Sequence, residues 1–149
     1  MPVSYAGIIE EHNNVRNKAG LFDIGHMGLI KIAGPQALEF IQSVATNDAA
    51  KLAVNSCQYA LLCHENGGAV DDILVYRLPD QYIIIANASN TDKVLAWFNK
   101  VLGTRDKGLI EHDTQSCALS IQGPKAIELV GKTLGLDLSN LARNHVLES

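Results

Sequence analysis

The sequence has no long apolar run, no paired cysteines and no cluster of basic residues, and each absence removes a class of protein. Its apolar stretches, such as Ile83-Ile84-Ile85, fall far short of the roughly 20 residues that a membrane-crossing helix needs. The amino-terminal residues lack the basic-then-apolar order of a signal peptide, so the expectation is a soluble cytoplasmic chain with no membrane partner. Cys57, Cys63 and Cys117 are odd in number and form no CxxC pair, which argues against a disulfide scaffold or a zinc knuckle. They read as small buried hydrophobes. His12, His64, His112 and His145 show no metal-ligand spacing, and no metal is expected. The 12 basic and 16 acidic residues give a net charge of -4, and the basic ones are scattered rather than aligned along a phosphate backbone. Nucleic acid is therefore not an expected partner.

What remains is an ordinary globular composition, with 149 residues of which 47% are hydrophobic and 19% charged. An internal echo organises it. Ile30-Lys31-Ile32-Ala33-Gly34-Pro35 leads into a segment that matches the one following Leu119-Ser120-Ile121-Gln122-Gly123-Pro124. Each copy reads as a strand turning into a helix, with glycine permitting the corner and proline at a first helical position. After Pro35 the apolar positions 37, 40, 41 and 44 form one helical stripe.

Between the copies lie three strand-like runs, at 57–63, 69–78 and 81–86. The first two are joined by Glu65-Asn66-Gly67-Gly68, a hairpin signal in which Asn and Gly both tolerate positive φ. Residues 91–102 place Val94, Trp97, Phe98 and Val101 on one helical face, with Asp92 and Lys100 suited to the helix dipole and Gly103 as a stop. A helix is also predicted over residues 6–18. This order predicts an α+β fold, an antiparallel sheet with two helices on one face, similar to ferredoxin-like folds.

The residues most in need of a chemical explanation are Asp71 and Asp72, at the start of a strand that is otherwise apolar. Alternation points Asp71 with Ile73 and Val75, and Asp72 with Val70, Leu74 and Tyr76, so the two acids should not share a site. A strand apolar on both faces is usually buried on both, and at least one aspartate then needs donors or a ligand to offset its desolvation. In one reading both carboxylates cap the hairpin loop near Gly67 and Gly68. In the other, one of them faces a cleft and orients an amine or takes a proton.

Six strings, in register along nearly the whole chain, resemble the T-protein of the glycine cleavage system, the tetrahydrofolate-dependent aminomethyltransferase family. They are Gly20-Leu21-Phe22-Asp23-Ile24-Gly25-His26-Met27-Gly28, Thr46-Asn47-Asp48, Tyr59, the run 65–76, Asn87-Ala88-Ser89-Asn90 and Gln122-Gly123-Pro124. The resemblance implies the family's folate-binding core and assigns catalysis to Asp72, which would bond the folate and help its N5 attack an aminomethyl carbon. That carbon would arrive on the lipoyl arm of a carrier, the H-protein; ammonia would leave and methylene-tetrahydrofolate would form. Met27, Tyr59, Tyr76, Asn87 and Asn90 correspond to positions around the pterin. Met27 and the two tyrosines can equally be core or strand residues, Asn90 or Thr91 a helix N-cap, and His26 a structural residue.

The resemblance also implies that the chain is a truncated amino-terminal portion. One folate-binding-type domain is expected over 1–149, with a helix and lead-in at 1–27, a ferredoxin-like core at 28–115, and a strand and helix of an interrupted domain at 116–149. Gly25 stands where the family usually has serine. The family's downstream acid and arginine motifs have no counterpart, so the isolated chain is expected to be incomplete for turnover. It is then either one subunit of a split enzyme, working with a complementing chain, or a non-catalytic folate-binding or interaction domain, associating through its uncovered apolar surface as a homo-oligomer. The family's folate-binding relatives also include iron-sulfur maintenance proteins and the folate domains of sarcosine and dimethylglycine dehydrogenases, whose distinguishing motifs are expected in the downstream region.

Overall fold

The structure, a computed structural model, describes residues 3–104 and 109–148. They divide into two compact units, one drawn from Met1–Gly25 with Cys117–Leu141 and the other from His26–Ser116 with Ala142–Ser149.

The larger unit is built on a five-stranded antiparallel sheet. Its strands are β2 (Gly28–Ala33), β3 (Ser56–Cys63), β4 (Ala69–Arg77), β5 (Gln81–Ala86) and β6 (Ile110–Asp113), in the order β3-β4-β5-β2-β6. β5 and β6 both run antiparallel to β2 between them, so β5, helix α3 (Thr91–Leu102) and β6 form a split βαβ unit. Helix α2 (Ala37–Val44) leads instead to β3 at the far edge, and a β3-β4-β5 meander brings the chain back.

Alternation decides the core. Ile30 and Ile32 of β2, Ile73 and Val75 of β4, and Ile84 of β5 are at most 2% exposed and point to one face. There they meet Phe40, Ile41 and Val44 of α2 and Val94, Phe98 and Leu102 of α3, while Phe40 and Phe98 pack edge to face. The expected α+β fold, with an antiparallel sheet and both helices on one face, is the one observed. The expected burial of β4 on both faces is not. The outward residues Leu61 and Leu74 are 38% and 37% exposed, because among the described residues no helix or strand of this unit covers that side of the sheet.

The outer edge of β3 is covered by irregular chain. Ala45 bridges Leu62 and Ser56 bridges His145, while Thr46 Oγ1 accepts from Leu61 N and Val146 N donates to Asn55 O. Between β3 and β4 only Gly67 has positive φ; Asn66 does not, since the loop closes as a His64–Gly67 turn of four residues rather than a two-residue hairpin.

The smaller unit contains helix α1 (Ile8–Asn17), a two-stranded antiparallel sheet of β1 (Gly20–Asp23) and β7 (Leu119–Gln122), and helix α4 (Ala126–Leu134). Its apolar residues are largely uncovered within the unit: Ile8, Ile9, Leu21, Leu119, Ile127 and Leu134 are each more than half exposed. Both Gly-Pro corners form as turns, with Ala37 N donating to Gly34 O and Ala126 N to Gly123 O. The prolines sit at the second position of these turns, two residues before each helix starts, rather than at its first residue. Among the described residues no helix is long and apolar enough to cross a membrane.

The cysteines are not buried hydrophobes. Cys117 is exposed and Cys57 and Cys63 are half-buried, since they lie on the uncovered side or at the end of β3.

Candidate functional site

Every residue singled out from the sequence as a site candidate belongs to the larger unit, and most lie at one end of its sheet. Ile73, Ala86 and Gly28 are neighbours across β4, β5 and β2. One residue beyond that row come Asp72, Asn87 and Met27. Tyr59 lies diagonally across from Asp72 on the same outward face, since Asp72 pairs with Leu61 and Tyr59 with Leu74. Tyr76 is two residues further along that face, pairs with Cys57 and is half-buried. Met27 is also half-buried, whereas His26 lies exposed in the preceding turn. The structure therefore brings together Asp72, Tyr59, Asn87 and Asn90; Tyr76 stands apart from that end.

The two aspartates separate as alternation requires, with a local irregularity. The β3-β4 register shifts at Leu62/Cys63, a bulge that leaves both Val70 and Asp71 buried while Asp72 faces out. Neither carboxylate caps the hairpin loop; Gly68 N donates to Asn66 Oδ1. Asp71, 5% exposed, accepts from Asn87 N at 2.9 Å, Asn87 Nδ2 at 3.0 Å and Asn90 Nδ2 at 2.6 Å. Burial pushes its pKa up, and the donations from Asn87 and Asn90 outweigh that, leaving the carboxyl below its ordinary value.

Asp72, to which the resemblance assigns catalysis, is exposed, and the desolvated acid is Asp71. Its Oδ1 accepts from Asn87 Nδ2 at 2.8 Å and its main-chain oxygen lies 3.2 Å from the same nitrogen. One asparagine amide thus joins two acids on opposite faces of the sheet. Alternation alone cannot reveal this, because the joining residue comes from the end of the neighbouring strand. Partial desolvation and then the Asp72 charge raise the pKa of the Tyr59 phenol. The Tyr76 phenol is raised first by burial.

The corner after β5 is held closely. Ala88–Asn90 form a 3-10 turn, and α3 starts at Thr91, whose Oγ1 donates to Asn87 O. A Cβ on Gly28 would come within 2.4 Å of Thr91 Oγ1, so β2 needs glycine where α3 begins. Asn90 occupies the N-cap position without a side-chain cap bond, and its Nδ2 is turned to Asp71. Lys93 Nζ, one turn along, donates to Val70 O at 2.7 Å and satisfies the carbonyl that the bulge displaces.

The Thr46-Asn47-Asp48 string has a role its sequence did not disclose. Thr46 Oγ1 accepts from Leu61 N and Asn47 Nδ2 donates to Tyr59 O, which holds the strand backbone directly after the residue that carries the exposed phenol. Asp48 accepts from Ala50 N and pairs with Lys51. A cavity of about 780 Å³ lies in the smaller unit, lined by α1 and β1 residues such as Glu10, Val15 and Phe22, and includes none of the candidates. Among the described residues no cluster of three or more potential metal ligands occurs.

Chemically, the outward end of the sheet offers one oriented carboxylate, one phenol and an apolar floor of Leu61 and Leu74. That combination suits a flat, partly apolar ligand with N–H donors along one edge.

A family described as the GCVT N-terminal domain matches residues 1–146. The aminomethyltransferase of Symbiobacterium thermophilum is 52% identical over 134 residues, covering 87% of this chain and 36% of the relative. That of Desulforamulus reducens is 45% identical over 144 residues, covering 95% and 39%. The crystal structure of glycine cleavage system aminomethyltransferase T from Bartonella henselae superposes with a TM-score of 0.86 at 33% identity, covering 97% of this chain and 40% of that one. The chain thus spans less than half the length of these curated relatives.

Proposed function

Because the chain belongs to the aminomethyltransferase family, which it matches over the GCVT N-terminal domain, we propose that it takes part in moving a one-carbon unit from a lipoyl-bound aminomethyl group to tetrahydrofolate. The observation that carries this reading is the Asp72 carboxylate, fixed by Asn87 Nδ2 at 2.8 Å on an open apolar sheet face beside Tyr59. A carboxylate held by one donor keeps lone pairs for others, and the amine-bearing edge of a reduced pterin supplies them. Asp72 then anchors the pterin by accepting a hydrogen bond from its N–H edge and favours attack of N5 on the aminomethyl carbon by stabilising the positive charge that develops on the ring. The carbon ends bonded to both folate nitrogens as its bonds to the amine nitrogen and to the carrier sulfur break; the two protons lost from the folate N–H groups leave on ammonia and on the freed thiol, which returns the carrier arm to its dithiol form. Tyr59 and Met27 border the ring, with the Asn87 to Asn90 turn at its edge and Tyr76 further along the same face. Tetrahydrofolate is a substrate here, the lipoyl carrier H-protein is the partner, and the cytoplasm is the compartment.

The open face calls for a second wall. In this reading, polypeptide equivalent to the rest of the relatives' length supplies it, whether joined to this chain or separate. A second reading is favoured by the exposure of Leu61 and Leu74 and of the apolar residues of the smaller unit: a non-catalytic folate-binding or interaction domain that self-associates through such surface.

Mixing the chain with the portion of the Bartonella relative beyond the matched region, and supplying tetrahydrofolate with aminomethyl-loaded carrier, separates the two. Methylene-tetrahydrofolate formed by the mixture and lost with Asp72→Asn supports the first. Folate binding without turnover supports the second, and absence of both contradicts each.

A further inference from the structure

We propose that Asp71 is a positioning residue: from the buried side of β4 it holds the Asn87 side-chain amide so that Asn87 Nδ2 fixes the Asp72 carboxylate on the opposite face. The inference rests on the assignment of Asp72 to the folate. It begins from hydrogen-bond counting. A primary amide has two N–H donors, and Asn87 Nδ2 faces three acceptors, Asp71 Oδ1 at 3.0 Å, Asp72 Oδ1 at 2.8 Å and Asp72 O at 3.2 Å. Ionised carboxylates only accept, so an amide lying between two of them must present nitrogen, which removes the usual ambiguity of an asparagine flip. Asp71 anchors the same residue a second time through Asn87 N at 2.9 Å. The Asn87 side chain is therefore clamped at its main chain and at its amide by one buried acid.

The clamp is itself braced. Asn90 Nδ2 donates to Asp71 Oδ1 at 2.6 Å instead of capping α3, and Lys93 Nζ holds Val70 O where the bulge turns Val70 to the same side as Asp71. Without the bulge, Val70 and Asp71 would point to opposite faces. A buried carboxylate needs such donors to remain charged, and here the donor that satisfies it also reaches the acid on the ligand side. An exposed aspartate free to rotate loses rotamer entropy when it binds; one held by Asn87 does not lose it again.

The test compares Asp71→Asn and Asn87→Ala with the full wild-type chain. It measures tetrahydrofolate affinity by calorimetry and the side-chain carboxyl ¹³C resonance of Asp72 by NMR without ligand. Both variants are expected to weaken binding by at least about tenfold, the equivalent of one hydrogen bond to a charged group, and to move the Asp72 resonance while amides far from residues 71–90 keep their shifts. Asn90→Ala, which loosens Asp71 without breaking the bridge, should have the smaller effect on both. Should Asp71→Asn fail to fold, Asn87→Ala decides. Should wild type bind no folate, the assignment of Asp72 to the folate fails, and the ligand-free resonance alone decides the positioning role. An Asp72 resonance unmoved in a folded Asn87→Ala variant, or wild-type affinity in either bridge variant, overturns the proposal.

Discussion

The two Gly-Pro corners share a local code and end in different surroundings. In the larger unit, α2 buries Ala37, Phe40, Ile41 and Val44. In the smaller unit, α4 follows the same turn and repeats the apolar positions 37, 40 and 41 as 126, 129 and 130, but buries only Ala126 and Gly131, leaving Leu129 49% exposed. Residue pattern determines that each corner turns and that each helix forms; whether the stripe is covered depends on what the remaining chain supplies. The glycines differ too. A Cβ on Gly34 would meet only Leu109 at 3.8 Å, whereas one on Gly123 would come within 2.6 Å of the Val15 and Lys18 carbonyl oxygens.

The contrast can be broken most forcefully at the two helices. Phe40→Ala is expected to cost about 3–5 kcal/mol, because the ring is fully buried. Leu129→Ala, in α4 and 49% exposed, should cost under about 1 kcal/mol. Urea unfolding measures both, and equal costs would remove the distinction. At the corners, Gly34→Ala should cost about 1–2 kcal/mol for its φ of 101° alone. Gly123→Ala should cost at least about 1 kcal/mol more, since backbone oxygens cannot yield as a flexible side chain can; circular dichroism melts compare them.

A third contrast concerns acid. Asp113, nearly buried between Lys31 Nζ at 2.8 Å and the Ser116 hydroxyl, has its pKa lowered far below the usual carboxylate range, chiefly by Lys31. Asp137, in an exposed loop after α4, is lowered by Ser139 alone. A depressed folded-state pKa gives stability that is present above the unfolded value, about 4, and lost as pH falls below it. Asp113→Asn should therefore flatten the loss of stability below pH 4 more than Asp137→Asn, as followed by melting temperature against pH. The smallest effect is expected for Lys51→Ala, which removes an exposed pair with Asp48 and should change stability by less than about 0.5 kcal/mol.

Much of this was legible beforehand where a period was long enough to fix a face. The spacing 37, 40, 41, 44 named the buried side of α2 residue by residue, and alternation separated Ile73 and Val75 from Leu74 and Tyr76 on β4 without saying which set is covered. The reading weakened where one residue breaks the period or where partners are distant in the chain. The bulge at Leu62/Cys63 turns Val70 to the same side as Asp71, and no propensity announces it. The Asn87 bridge spans 15 and 16 residues of sequence to its two acids. Cys117 and Leu74 looked like core by type alone, because composition cannot say which side of a sheet goes uncovered.

Calorimetric titration of tetrahydrofolate into the full chain and into its Asp72→Asn variant tests the account most directly. Saturable heat in the wild type, weakened by at least about tenfold in the variant with no change in unfolding midpoint, is the predicted result. No heat at millimolar folate, or equal affinity in the two proteins, would contradict it.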